Sequence, residues 1–254
     1  MKIYRFTAII IFLFGLMGTT YAQQARFDEA NEYLQDQEYR QAINLYASIA
    51  DDGYQSGALW LNTGIAYTRL DSLGIAKYYF LKAQKYPETK NSANNALEFV
   101  NERFPQRSAV LPPLPWDQFF SFLSDNYGST KITLFSLLFI YLGTGFIVWA
   151  WFRVDLKKFM TYTGFSALGI GFILLLTAFY ISYLDNRYST GVLIDRQATV
   201  HEQPADDAVI VSRAFEGYTM RVDFARSEEN PEWSYVRLEN GMYGWVENES
   251  LKVL

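Results

Sequence analysis

Two long stretches without a charged residue constrain this chain more than any other feature of its sequence. The first covers residues 132–152 and the second covers residues 159–184. Each stretch reaches the roughly 20 apolar residues that an α-helix needs to cross a bilayer. The sequence therefore predicts transmembrane helices over 131–152 and 159–184. Because only residues 153–158 separate them, the two helices must form a hairpin.

The charges around these stretches predict which side of the membrane each part of the chain occupies. The loop carries Arg153, Lys157 and Lys158 against a single acid, and short loops rich in lysine and arginine stay in the cytoplasm. Residues 1–22 have an early basic pair, an uncharged apolar run and a small-residue ending, the pattern of a signal peptide cleaved after Ala22. An uncleaved anchor is the alternative. We therefore expect a protein of the inner (cytoplasmic) membrane, with both soluble segments in the periplasm.

Glycines near the middle of both spans predict how the hairpin packs. Gly143 and Gly145 lie in the first span, and Gly169 and Gly171 lie in the second. Glycine lets two helix backbones approach closely in a membrane, and its general abundance in membrane helices is the alternative explanation. Residues 132–152 and 159–184 contain no aspartate, glutamate, lysine, arginine or histidine, which leaves no candidate for a proton or ion pathway.

Charge and composition exclude several classes of protein. The chain has 22 lysines and arginines against 27 aspartates and glutamates, a net charge of −5, and this acidic balance opposes nucleic-acid binding. It contains no cysteine and a single histidine, His201, so the usual zinc sites and nucleophilic triads lack their residues. We therefore expect no catalytic, cofactor or metal site, and we expect His201 to lie on the surface of a strand.

The segment between the signal peptide and the spans repeats itself with an offset of 34 residues. Small and large residues recur at helical spacing in both copies, which predicts two pairs of antiparallel helices. The matched positions are Ala30 with Gly64, Tyr33 with Tyr67, Ala42 with Ala76, Tyr46 with Phe80 and Ile49 with Ala83. The second copy also carries Trp60 ahead of Gly64, and Pro87 after its last helix.

This pattern resembles the tetratricopeptide repeat family. The resemblance implies a domain over 23–104, made of two repeat units and a capping helix at 92–104. It also implies that a binding groove would lie on the concave face of the first helix of each unit. The candidates by position are Asn31, Gln35, Leu61, Ile65 and Arg69. Two repeats make a short groove, so an extended peptide and a folded partner both stay open as ligands.

Residues 105–130 differ in composition from the segments on either side. Pro112, Pro113 and Pro115 favour an extended, semi-rigid spacer. Aromatic residues then alternate with polar ones, namely Trp116, Phe119, Phe120 and Phe122. A helix with this pattern next to a membrane is expected to lie in the interface, and a helix that binds a partner protein is the alternative.

After the second span the pattern changes to that of short strands. Apolar and polar residues alternate over 218–224, 234–238 and 242–246. Asn240 and Gly241 stand between the last two segments, and this dipeptide favours the type I′ turn of a β-hairpin. Residues 190–254 are therefore predicted to form an all-β domain.

The C-terminal strands resemble those of the bacterial SH3 family. The residues that carry the resemblance are Trp233, Gly241, Gly244 and Trp245, in the order found in that family. The resemblance implies an SH3-like barrel. We expect Trp245 to be a packing residue of the barrel, and stacking on a ligand is the alternative. It also raises peptidoglycan as a ligand.

The order of these parts resembles the Bat (Bacteroides aerotolerance) family of envelope proteins. On this resemblance the chain is a multi-domain membrane protein with an all-α tetratricopeptide-repeat domain, a two-helix transmembrane hairpin and an all-β SH3-like barrel. The resemblance implies a membrane-anchored scaffold, not an enzyme, in an aerotolerance or stress complex. Its partners would be the lipid bilayer and other membrane or periplasmic proteins, such as Bat proteins with von Willebrand A domains. A peptidoglycan-binding module that acts through the SH3 domain is the alternative function.

Overall fold

The computed structural model describes residues 23–106 and 108–254. The expected signal peptide and its cleavage point therefore lie outside the described residues. The chain divides into two compact units, one joining the described residues up to Ala109 with Thr190–Leu254 and the other formed by Val110–Ser189. A helical region, two long apolar helices and an antiparallel sheet follow one another along the chain. This order agrees with the predicted combination of helical, membrane-hairpin and all-β parts.

Five helices form the N-terminal part of the described chain, and we refer to them as the helical array. Helix α1 is described over 23–35, and it is followed by α2 (Tyr39–Asp51), α3 (Gly57–Arg69), α4 (Leu73–Gln84) and α5 (Lys90–Arg103). Helices α2 and α4 begin 34 residues apart, at the offset found in the sequence. The turns before these two helices also have the same backbone conformation at equivalent positions. Gln37 and Asp71 both have a positive φ, of 64° and 58°. Each helical hairpin therefore turns in the same way.

Small side chains at the repeat positions let these helices approach closely. Gly64 of α3 faces Phe80 of α4 so closely that a Cβ on Gly64 would lie 2.5 Å from the phenylalanine ring. Ala42 and Ala76 are fully buried, and Tyr46 is 1% exposed. The repeated small and aromatic residues are thus the helix–helix contacts of the core.

The second unit is a helical hairpin. Helix α6 covers Pro115–Ala150 and α7 covers Lys157–Arg187, with a 3₁₀ turn at Val154–Leu156 between them. Both helices are long and apolar enough to cross a membrane, with a mean hydropathy of 2.0 over an 18-residue window. The second helix starts earlier than the expected span, since Lys157 and Lys158 belong to α7 and not to the loop.

Helix α6 is broken at Gly128, where φ is 68° and ψ is 159°. Residues with a side chain rarely adopt this conformation. The break separates residues 115–127, the expected interfacial helix, from the span. Four aromatic rings of this segment are exposed, those of Trp116, Phe119, Phe122 and Tyr127. The ring of Phe120 instead packs edge-on against Tyr180 of α7, with 4.7 Å between the ring centres.

Small residues bring α6 and α7 together, but only half of the expected glycines take part. A Cβ on Gly143 or on Gly171 would lie 2.8 Å from an atom of the facing helix. Ser136 Oγ donates a hydrogen bond of 2.8 Å across the pair to the Gly171 carbonyl oxygen. The expectation was wrong for Gly145 and Gly169, which have no atom within 4 Å of the Cβ position. Each lies two residues from an interface glycine, about 200° further around its helix, and so faces away.

Seven strands form the C-terminal part of the described chain. They are β1 (Tyr188–Leu193), β2 (Gln197–His201), β3 (Ile210–Phe215), β4 (Thr219–Asp223), β5 (Trp233–Leu238), β6 (Tyr243–Glu247) and β7 (Leu251–Val253). The strand order in the sheet is β3-β2-β6-β5-β4-β1-β7, with antiparallel pairing. Alternate side chains point inward, and the core they form includes Val200, Val222, Val236, Leu238 and Val246. We refer to residues 190–254 as the β domain.

The hairpin between β5 and β6 differs from the prediction. A type I′ turn needs a positive φ at both Asn240 and Gly241, but only the glycine has one, 86°, and Asn240 is not among the described residues with positive φ. The Gly241 amide donates to the Leu238 carbonyl, and the Leu238 amide donates to the Met242 carbonyl, both at 2.9 Å. This pattern is a type I turn followed by a glycine bulge, in which the extra loop residue lets Asn240 keep a negative φ.

Candidate interaction surfaces

The helical array and the β domain pack against each other within the first unit, although two long apolar helices separate them in the sequence. Helix α4 contacts the loop between β3 and β4. The Gly74 amide donates a hydrogen bond of 2.7 Å to Glu216 Oε1. Lys77 Nζ donates one of 2.6 Å to the Gly217 carbonyl oxygen. We refer to this contact as the joint.

Two glycines allow the close fit at the joint. A Cβ on Gly74 would lie 2.7 Å from the Leu193 carbonyl oxygen and 2.8 Å from Glu216 Cγ. Gly217 has a φ of 80°, and a Cβ there would overlap the ring of Phe104, which follows α5. Glycine is therefore required at both positions, for space at the first and for space and backbone conformation at the second.

Lysines on α4 carry positive charge at and near the joint. Burial lowers the pKa of Lys77, an effect that the charge of Glu239 partly offsets. Further along the helix, two ammonium groups lie beside the Tyr78 ring, since Lys82 Nζ and Lys252 Nζ are each 5.6 Å from its centre. Because Lys252 belongs to β7, this aromatic ring also links the array to the β domain.

Three of the five predicted groove residues take part in packing inside the array. Asn31 Oδ1 accepts hydrogen bonds from the Tyr46 hydroxyl at 2.7 Å and from Asn62 Nδ2 at 2.8 Å. These bonds connect α1 to α2 and α3. Leu61 and Ile65 are half-buried and pack against the apolar clusters of the array. The fold alone therefore explains these three side chains.

Gln35 and Arg69 are the two groove residues that are exposed. They occupy equivalent positions 34 residues apart, at the ends of α1 and α3. A partner in the groove would meet an amide and a guanidinium, and both groups form directional hydrogen bonds.

Sequence reasoning missed an aromatic cluster between α3 and α4. The rings of Trp60 and Tyr67 both stack on Tyr79, with centres 5.8 and 5.5 Å apart. Lys82 Nζ lies 3.4 Å from the centre of the Trp60 ring. Burial is the main cause that raises the pKa of Tyr79 to about 12. The signal that could have found the cluster is the seven-residue spacing of Trp60 and Tyr67, which places both on one face of α3.

Two residues of the SH3 motif are neighbours on β6 and point to opposite faces of the sheet. Gly244 faces the core, where a Cβ would lie 2.5 Å from Val200 Cγ1. Trp245 is half-buried and outside the core cluster, with its ring 5.3 Å from that of Tyr235. The expectation that Trp245 packs the barrel was therefore wrong. Because side chains alternate along a strand, Gly244 and Val246 take the inward positions and the tryptophan points outward.

His201 is buried, which corrects the expectation that it lies on the surface. The residue is 6% exposed, and its ring meets that of Trp233, itself 8% exposed, edge-on at 5.4 Å. One ring nitrogen lies 2.7 Å from Thr199 Oγ1 and the other lies 3.2 Å from the Ala208 carbonyl oxygen. Ala208 belongs to the segment between β2 and β3, so that segment folds back on the histidine. The imidazole is thus a packing residue with both nitrogens satisfied.

Partly exposed aromatic rings lie on the outer face of β5 and β6. The Tyr235 ring is nearly parallel to that of Tyr243, at 18° and 6.2 Å, and meets the Trp245 ring edge-on. The guanidinium of Arg226 lies 4.6 Å from the centre of the first ring, and that of Arg237 lies 5.5 Å from the centre of the second. We refer to these five residues as the aromatic face. Rings with hydrogen-bond donors beside them suit a ligand that has both apolar and polar groups.

Among the described residues, no group of three or more histidine, aspartate or glutamate side chains is arranged to hold a metal ion. A comparison with models of known protein families finds no match, and a search of curated proteins finds none either. Three parts of the described chain are candidate surfaces for binding, which are the exposed groove residues, the aromatic face and the surroundings of the joint.

Proposed function

We propose that this chain is a membrane-anchored scaffold for protein–protein interactions in the cell envelope. The observation that supports it most directly is the joint, where segments from both sides of the hairpin fold into one unit. A folded unit cannot be divided by a bilayer, which supports a topology with both ends of the hairpin on one side. The basic residues Arg153, Lys157 and Lys158 favour the cytoplasm for the turn of the hairpin. The folded unit would then lie in the periplasm.

In this proposal the chain acts by binding and not by catalysis. The array holds one partner, and the hairpin keeps that partner at the membrane surface. Confinement of this kind raises the effective concentration of bound proteins without any new contact between them. The joint adds to the effect, because it fixes the array and the β domain in one arrangement.

We further propose that the array consists of two tetratricopeptide repeats closed by α5, and that the β domain is a bacterial SH3 domain. The 34-residue offset between the starts of α2 and α4 supports the first assignment. Gly241 in the β5–β6 turn and Gly244 against the core support the second. Together with the hairpin, these domains support a role in a Bat-type complex. The chromosomal neighbourhood tests this role, since adjacent genes for membrane proteins with von Willebrand A domains are expected, and their absence would count against it.

Capture of the full chain from cross-linked membranes tests the scaffold. We expect other membrane proteins to be recovered with it. Changing the exposed groove residues, by Gln35→Ala together with Arg69→Glu, is expected to reduce that recovery at least about tenfold. Lys90→Ala, at an exposed position of α5, is the matched control. Recovery of the chain without any partner, or an equal loss with the control, would contradict the proposal.

A topology measurement tests the location separately. Reporters placed after Leu254 and within 153–158 are expected to lie on opposite sides of the membrane, with the first in the periplasm. A cytosolic signal from the reporter after Leu254 would contradict the shared compartment of the array and the β domain.

The aromatic face favours a second candidate function, binding of peptidoglycan through the β domain. Tyr243 is 50% exposed and Tyr235 and Trp245 are half-buried, so their rings are open to a sugar or peptide ligand. Co-sedimentation of the detergent-solubilised full chain with purified cell wall tests it. Tyr243→Ala with Trp245→Ala should abolish binding, and Tyr54→Ala, at an exposed tyrosine of the array, should not. If the parent chain stays in the supernatant, this candidate is excluded.

A further inference from the structure

A cavity of about 440 Å³ opens beside the joint. Both parts of the first unit line it with charged and apolar side chains. They include Asp71, Leu73 and Arg103 of the array, and Arg196, Phe215 and Glu216 of the β domain. The volume lies within the range of small-molecule sites, about 300–1,000 Å³.

The charged groups of this cavity do not neutralise one another. Among these described residues, no guanidinium nitrogen lies within 4.0 Å of a carboxylate oxygen. The guanidinium carbon of Arg103 lies 4.0 Å from the centre of the Phe99 ring. Glu216 uses Oε1 to accept the Gly74 amide, and its second oxygen is left to accept another donor. The walls therefore present two cations and two anions around a common space.

We propose that this cavity binds a small zwitterion, namely a free amino acid or a dipeptide. Arginine binds a carboxylate through paired, charge-assisted hydrogen bonds, and an ammonium group donates to aspartate and glutamate oxygens. A ligand that carries both groups satisfies both sets of wall charges. A simple anion or cation satisfies one set only, and an uncharged ligand satisfies neither. Leu73 and Phe215 supply apolar contacts for a small side chain.

Binding at this place would also strengthen the joint. Because the walls come from the array and from the β domain, the complete site exists only when the two are docked. A ligand that binds the docked form alone stabilises it by RT ln(1 + [L]/Kd). This site is independent of the partner that the groove or the aromatic face takes.

Calorimetric titration of the full chain in nanodiscs tests the proposal with four probes. They are L-alanyl-L-alanine, its N-acetylated amide, acetate and ethylammonium. We expect the dipeptide to bind at least about tenfold more tightly than each of the other three, as loss of charged hydrogen bonds dictates. The dipeptide should also raise the unfolding midpoint of the unit.

Variants of the wall residues locate the binding. Arg196→Gln and Asp71→Asn should each weaken dipeptide binding at least about tenfold. Asparagine is chosen at position 71 because it tolerates the positive φ of 58° found there. Arg213→Gln, at an exposed arginine of β3 that does not line the cavity, is the matched control. A cooperative unfolding transition, measured without ligand, shows that each variant is folded. If Arg196→Gln does not fold, Asp71→Asn decides the test.

Three results would overturn the proposal. The first is no binding of the dipeptide up to about 10 mM, which is weaker than a specific site of this size requires. The second is equal binding of the dipeptide and its uncharged amide. The third is an unchanged affinity in the folded wall variants.

Discussion

The substitution Gly74→Ala tests whether helix α4 is docked on the β domain, because it should have opposite effects on stability in the docked and undocked states. Alanine is favoured over glycine in a helix by up to about 1 kcal/mol, so a helix without a docked neighbour would become more stable. At the joint, the added Cβ would lie 2.7 Å from the Leu193 carbonyl oxygen and 2.8 Å from Glu216 Cγ. Overpacking of this kind costs about 1–3 kcal/mol. We therefore expect Gly74→Ala to lower the free energy of unfolding by a net of up to about 2 kcal/mol.

The measurement combines chemical unfolding of the full chain with a cross-link across the joint. The chain has no cysteine, so cysteines introduced at Tyr78 and Lys252 would be its only thiols. Lys252 Nζ lies 5.6 Å from the centre of the Tyr78 ring, which puts this pair within reach of a short bismaleimide. The cross-link should form efficiently in the parent chain and less efficiently with Gly74→Ala.

The control is Gly145→Ala, the same change in a helix where no atom lies within 4 Å of the added Cβ. This variant should not lower the free energy of unfolding, because alanine favours the helix and meets no neighbour there. It should also leave the cross-link unchanged. A Gly74→Ala chain that is more stable than the parent and forms the cross-link equally well would refute the reasoning, because α4 would then gain helix propensity without meeting the β domain.

Three further predictions concern the hairpin, the sheet and the array. Gly171→Leu should reduce the thermal stability of the hairpin in detergent, because a Cβ there already lies 2.8 Å from the facing helix, whereas Gly169→Leu should not. Gly244→Ala should lower the unfolding free energy by about 1–3 kcal/mol in a denaturant titration, since its Cβ would lie 2.5 Å from a valine methyl group. Burial, the main cause, raises the pKa of Tyr46 from 10.0 to about 12. The Tyr46 hydroxyl therefore stays protonated to a higher pH in the native state than in the unfolded state. This difference contributes free energy of unfolding that is fully present below pH 10 and should be lost as the pH rises to about 12. Tyr46→Phe should reduce this loss in unfolding titrations across that range, and an identical pH dependence would count against it.

Local patterns predict the parts of this fold that depend on neighbouring residues. The length and hydropathy of the two uncharged stretches are sufficient to predict the long apolar helices α6 and α7. Length and apolar composition are the main properties that a membrane-crossing helix requires. The 34-residue offset predicts the paired helices of the array, since both hairpins solve the same packing problem with a small residue against a large one. Gly64 against Phe80 is the clearest case.

Features that depend on register or on distant contacts were predicted wrongly or not at all. Asn240 and Gly241 fit two kinds of hairpin turn, and the number of residues in the loop decides between them. The outward direction of Trp245 follows from which of its neighbours enters the core, and a slip of one residue would reverse it. The hydrogen bonds of the joint link residues 142 and 140 positions apart. No periodic pattern carries that information.

The first unit is discontinuous, because its chain leaves after Ala109 and returns at Thr190. A ribosome therefore finishes the array, and then both long apolar helices, before it makes the β3–β4 loop that covers Gly74 and Lys77. Throughout that interval the face of α4 that contacts the β domain is exposed to solvent. In a product that terminates before β3, this face of α4 would stay exposed permanently. A protease or chaperone that binds the exposed face would therefore distinguish truncated chains from complete ones.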